Sequence, residues 1–211
     1  MSGQGPCALD SRTPGRKISV VDAVCCVYFC AAGKSPLLVS ILTTLGMEIL
    51  IPEEVAAEAE SKRSYGQLAT HMRRLRASTK VTILPRLVLG DERSAVLANV
   101  ARVRGLSVGL ALSRRKDLGE AIVIGHARHL ADTGHEVHVL IDDQGGQALA
   151  DMEGLHVITV EMLLMAAVKL GLVQAGALRS TYESLRPFGA GLPTWNASTL
   201  KTDYEQWRRG R

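Results

Sequence analysis

Short apolar runs alternate with longer stretches of helical spacing through most of the chain. Ile18–Val21 is a β-branched run that stops at Asp22. Val24–Ala32 is apolar and closed by Gly33, which predicts a helix with a glycine just past its end. Ser35 and Pro36 read as the cap and first-turn proline of a helix reaching Leu45. Glu48–Ile51 predicts a second strand, and Pro52 opens a helix whose first turns carry Glu53, Glu54, Glu58 and Glu60. Tyr65–Arg76 reads as a basic helix, Val81–Leu84 as a third strand and Asp91–Arg104 as a helix. Gly105–Lys116 shows no decided period and ends in Arg114, Arg115 and Lys116. Beyond it come a helix over Gly119–Asp132, a strand over Val137–Ile141 that runs into Asp142 and Asp143, and a helix over Gly145–Met152. A strand over Val157–Thr159 and a helix over Glu161–Leu170, stopped by Gly171, complete the series.

Strands this short and apolar, each followed by a helix, predict an α/β fold: a three-layer α/β/α sandwich around a central, mostly parallel sheet. The expected organisation is a loose tail over residues 1–16, a single domain over 17–173 and a partly helical extension over 174–211. The extension, interrupted by Pro187, Gly189, Gly191 and Pro193, reads as an appendage packing on the core or on a partner.

Composition refines this picture only modestly. The 211 residues are 46% hydrophobic but only 4% aromatic, so the core is built from aliphatic side chains and few rings are left for stacking bases. The net charge of +4 suits a polyanionic partner. Of the four cysteines, Cys25, Cys26 and Cys30 crowd into one apolar helix without metal-knuckle spacing, which reads as reduced, buried thiols. With no apolar run of spanning length and no secretory pattern at Met1, the chain is expected to be cytoplasmic and not membrane-bound.

The candidate chemistry lies in the acids. In open parallel sheets, ligands bind beyond the carboxyl ends of the strands. Asp22 follows the first strand there, and Asp142 and Asp143 follow the strand at Val137–Ile141. Glu58 lies on the helix after the second strand, and Glu120 near the start of the helix at Gly119. Taken singly, each has a plain structural role: Asp22 as a helix cap, the Asp pair as a turn, the glutamates as first-turn or solvated charges. Carboxylates converging on one crevice repel one another unless a divalent cation neutralises them, and oxygen ligands suit Mg²⁺ or Mn²⁺.

Ile18–Tyr28, with its leading Asp22, resembles the first block of the PIN-domain nucleases. Residues 51–58, Ile-Pro-Glu-Glu-Val-Ala-Ala-Glu, resemble the second block of that family; Leu118, Gly119 and Glu120 resemble the third; Leu140, Ile141, Asp142 and Asp143, with Ala148, resemble the fourth. Val157–Val160 and the run from Lys169 to Val173 resemble its usual ending, so the likeness extends in order over residues 17–173. The resemblance implies carboxylates around one or two Mg²⁺ or Mn²⁺ ions and endoribonuclease cleavage of single-stranded RNA. It implies the toxin half of a bacterial or archaeal toxin–antitoxin pair, an antitoxin protein as partner, and a homodimer. Carried over by position, the site is Asp22, Glu58, Glu120 and one of Asp142 or Asp143.

Two positions depart from the family pattern. Val24 stands where many members have a small polar residue, and Ile141 where many have Ser or Thr. These departures favour a rival reading, a catalytically inert PIN-like module that binds RNA or protein. A second rival is an α/β phosphotransfer protein with Asp22 or Asp143 as phospho-acceptor. Arg114, Arg115 and Lys116, with Arg73, Arg74 and Arg76, are candidate contacts to an RNA backbone. His126, His129, His135 and His138 lack an accompanying ligand pattern for zinc and read as structural or surface residues.

Overall fold

A computed structural model describes residues 15–62, 64–90, 94–114, 116–189 and 191–210. Most of the tail expected at 1–16 and the candidate Arg115 therefore lie outside the described residues. Strand β1 (Lys17–Val21) is buried from Ile18 onward, because helices cover both faces of the sheet. Helix α1 (Ala23–Ala31) follows it; its residues are almost all buried, as an all-round apolar helix must be. Gly33 ends this turn with φ 71°, a left-handed conformation that costs glycine nothing.

The chain continues through α2 (Ser35–Thr44), β2 (Glu48–Pro52), α3 (Glu53–Ser61), α4 (Leu68–Ala77) and β3 (Val81–Leu84). Then come α5 (Ser94–Val103), the short α6 (Val108–Ala111), α7 (Leu118–Asp132), β4 (Glu136–Leu140), α8 (Gln144–Met152), β5 (His156–Ile158) and α9 (Val160–Lys169). The five strands pair only in parallel, in the order β3-β2-β1-β4-β5. Helices α1, α2, α4 and α9 pack together on one side, and α5, α7 and α8 on the other, giving the α/β/α sandwich.

The sequence-based bounds shift in places for identifiable reasons. Ser35 is the first residue inside α2 rather than its cap, because its hydroxyl stands 2.6 Å from Nδ1 of the buried His71. Helix α4 begins at Leu68, since the segment before it turns at Gly66 with φ 45°. The undecided span after Gly105 contains a single turn of helix, α6.

The extension is part of the core. Helices α10 (Leu178–Leu185) and α11 (Thr199–Arg209) lie against α9 and α1, and Leu178, Tyr182, Leu185, Trp195 and Leu200 join the main apolar cluster. Glu161 at the start of α9 holds this region. It accepts hydrogen bonds from the Tyr182 hydroxyl at 3.0 Å, from the Leu200 N–H at 3.1 Å and from the Thr199 hydroxyl. A smaller apolar cluster, with Val96, Leu97 and Val100 of α5 facing Ala121 and Ile122 of α7, lies on the opposite side. Among the described residues, no helix is long and apolar enough to cross a membrane.

Candidate active site

In this strand order, the chain leaves β1 toward β2 and leaves β4 toward β5, so the topological switch point lies between β1 and β4. The Asp22 N–H donates to Leu140 O at 3.0 Å, which fixes the carboxyl ends of the two strands side by side. The first and fourth acidic positions of the sequence thus meet at the edge where an α/β sheet takes its ligands.

Asp22 is the N-cap of α1, and its Oδ2 accepts from the Val24 N–H at 3.1 Å. It is 3% exposed. Burial is the main force that pushes its carboxyl up to about 6, and the neighbouring Glu58 charge adds to it; the backbone donors and Lys62 pull the other way. Glu120, in the first turn of α7, is pushed up to about 7, by burial first and then by Asp143, Asp22, Asp117 and Glu58. Glu58 lies against the start of α7: a Cβ added at Gly119 would stand 2.6 Å from its Oε2. Glu120 in turn lies over the start of α8, where a Cβ at Gly146 would come 3.4 Å from its Cγ. Glycine at both places lets the carboxylates approach the backbone of the neighbouring helix.

The adjacent aspartates have different surroundings. Asp143 caps α8, with Oδ2 accepting from the Gly146 N–H at 3.0 Å, and it is the largest of the charges that raise Glu120. Asp142 accepts from the Val160 N–H at 3.1 Å, tying the end of β4 to the start of α9. Burial raises its carboxyl, helped by Glu161 and Asp143. Asp22, Glu58, Glu120 and Asp143 therefore share one electrostatic field, and Asp142 lies on its flank, toward the C-terminal helices.

Beside these acids runs a cleft of about 220 Å³, its walls including Val24, Tyr28, Lys62, Asp142, Asp143 and Phe188. Three groups in or beside the cleft were not among the expected site residues. Lys62 follows Glu58 by four residues, a spacing that places both on one helical face, and this was the available signal. Asp117 precedes α7 with φ 53°, a conformation that Asp tolerates better than most residues. Tyr28 is raised to about 12, by burial and then by the Asp142 charge, so its phenol stays protonated.

The expected cationic contacts divide. Arg114 and Lys116 are exposed, while Arg115 lies outside the described residues. Arg76 is committed elsewhere: its guanidinium holds Glu53 at 2.7 Å and Glu60 at 2.7 Å. Of the histidines, His126 is buried within α7, and His138 pairs with Glu136 at 2.8 Å.

All four clustered groups are oxygen donors, which is the chemistry a hard divalent cation takes. Buried or mutually repelling carboxylates are also what a cation relieves, and Asp22 and Glu120 are raised for that reason. Among the described residues, however, no three His, Cys, Asp or Glu side chains already form a group able to hold a metal ion. Asp22 and Asp143 each engage Oδ2 in a helix cap. No model of a known protein family matches the chain, and no curated protein matches it.

Proposed function

We propose that the protein is a metal-dependent endoribonuclease of PIN-domain type, the toxin of a toxin–antitoxin pair, that hydrolyses RNA phosphodiester bonds with Mg²⁺ or Mn²⁺. The observation that carries the proposal is the meeting of Asp22, Glu58, Glu120 and Asp143 at the switch point between β1 and β4. On this reading Asp22, Glu120 and Asp143 hold the ion, Asp142 stands ready as a flanking ligand, and Glu58 completes the negative field. The ion, when bound, supplies positive charge to the scissile phosphate and acidifies an attacking water. The chain's own residues set the geometry: the caps on α1 and α8 fix Asp22 and Asp143 relative to the sheet. Glu120, pushed up by burial and by the acids around it, is relieved by the ion's charge. Lys62, Arg114 and Lys116 provide cations toward which an RNA backbone can run. An antitoxin partner and a homodimer belong to the same reading.

The test is Asp22→Asn. Asparagine caps helices as well as aspartate does, so the fold is kept while the charge is lost. We expect Mn²⁺-dependent cleavage of single-stranded RNA to fall at least a hundredfold, on the order of a lost ligand's effect, with an unchanged far-ultraviolet circular dichroism spectrum. Full activity in this variant sinks the assignment.

Val24 in the cleft wall favours one alternative, an inert RNA- or protein-binding module. Calorimetric titration with Mn²⁺ separates the two: the nuclease reading requires stoichiometric binding that Asp22→Asn weakens, and the inert module gives no specific heat.

A further inference from the structure

In a chain with so few rings, Phe188 is placed unusually. It belongs to the extension, in the turn Arg186–Phe188 after α10, yet it forms a wall of the cleft beside Lys62, Asp142 and Asp143. Its position is fixed on several sides. One edge rests on Gly66, where a Cβ would come 3.1 Å from the ring. Tyr65 lies beside it, with ring centroids 6.5 Å apart and planes at 45°. The segment that carries it is pinned to α1: a Cβ at Gly189 would stand 2.2 Å from the Tyr28 ring, and the Gly191 N–H donates to the Tyr28 hydroxyl at 3.2 Å. A ring held this way loses little freedom when a ligand lies on it. The cleft, at about 220 Å³, is smaller than pockets for whole drug-sized ligands, which begin near 300 Å³, and suits a single flat group. Lys62, which also lines the cleft, supplies a cation for a phosphate next to that group.

We propose that Phe188 is a stacking platform for one unpaired nucleobase of the RNA, seated in the cleft while Lys62 holds a flanking phosphate. The inference rests on the nuclease reading for its ligand class and adds the subsite that selects an unstacked nucleotide. Every base has a π-face, so the platform favours single strands over duplex without choosing a sequence.

The experiment measures binding of a fluorescent single-stranded RNA to the full chain in low salt with EDTA, each base being replaced in turn by an abasic site. For the wild type, one abasic position should weaken binding about tenfold, the order of one aromatic–base stack. Phe188→Leu keeps an apolar side chain and removes the ring; it should bind intact RNA as weakly as the wild type binds that abasic strand, and lose nothing further from the gap. Phe188→Tyr should restore the wild-type pattern. An abasic penalty that persists in Phe188→Leu overturns the proposal, as does a wild-type protein indifferent to every gap. Binding without a divalent ion is read separately from cleavage. Stacking that survives in a protein that cuts nothing sinks the nuclease reading alone, and cleavage by a chain that ignores the gaps sinks the platform alone.

Discussion

Asp142 and Asp143 are adjacent in sequence but bonded to different parts of the molecule, and this yields an asymmetric prediction. Asp143 faces Glu120 and caps α8. Asparagine preserves that cap, so Asp143→Asn should keep stability and lose Mn²⁺ affinity roughly tenfold or more. Asp142 receives the Val160 N–H at the root of α9, so Asp142→Ala leaves the donor of a buried residue unmatched and should cost about 1–3 kcal/mol. Urea denaturation and Mn²⁺ calorimetry on both variants check this; an Asp142→Ala protein as stable as the wild type, or an Asp143→Asn protein with unaltered metal binding, contradicts it. Asp22, Asp142, Asp143 and Glu120 could be picked out because each follows a strand or opens a helix, whereas Glu58 lies within α3. The division of labour between the two aspartates was not, since it depends on Val160 and Glu120, which approach only in the folded chain. Lys62 and Asp117 were missed for the same reason. A lone lysine after a glutamate-rich helix and an aspartate in an aperiodic loop have many solvated counterparts.

At the level of elements, the contact between α5 and α7 turns on Gly125. Replacing a mid-helix glycine by alanine ordinarily gains about 1 kcal/mol of helix propensity. Here the added Cβ would lie 2.5 Å from Val100 Cγ2 and 3.2 Å from the Val100 backbone nitrogen. A β-branched side chain turns aside poorly, so overpacking of about 1–3 kcal/mol outweighs the propensity gain. Gly125→Ala is therefore expected to lower the thermal midpoint; a raised midpoint shows that α5 can withdraw. Elements were readable where the pattern has one clear period. Strand β3 falls where Val81, Ile83 and Leu84 predict it, and α1 ends at the glycine that marks it. They were less readable where a tertiary partner sets the boundary. Ser35 would cap a helix if His71 did not take its hydroxyl.

For the whole molecule, the cluster makes stability depend on pH and, on the proposed reading, on metal as well. Asp22 titrates near 6 in the folded chain against 3.8 unfolded, and Glu120 near 7 against 4.5. The folded state thus keeps protons that the unfolded state has already released. Their contribution falls as pH rises from about 4 to about 7 and is flat above. Acids lowered by ion pairs, such as Glu53, change nothing above about pH 5, and His71, lowered by burial, acts in the opposite direction. The clean measurement is therefore a difference. Between pH 5 and 7.5 without metal, the wild type should lose stability relative to Asp22→Asn, and Mn²⁺ should raise the wild-type melting temperature more at pH 7.5 than at pH 5. A larger metal effect at pH 5 is incompatible with these carboxylates as ligands. The three-layer architecture was legible from alternation alone. The sheet order was not, because parallel strands of similar apolar character carry no label for their neighbours. Which of its two expected surfaces the extension packs on was not legible for a related reason: Tyr182 and Leu200 look unremarkable until Glu161 and the core claim them.

The central place of β1 has a consequence during synthesis. Its pairing runs from Lys17 to Glu136, so one side of the earliest strand stays bare while the ribosome makes everything between them. Contacts this distant form late, after the loop between them has closed. A nascent chain can shape the half-sheet of β1, β2 and β3, but its acids cannot come together until translation has passed Asp143. A stalled or prematurely released product lacks the assembled crevice altogether.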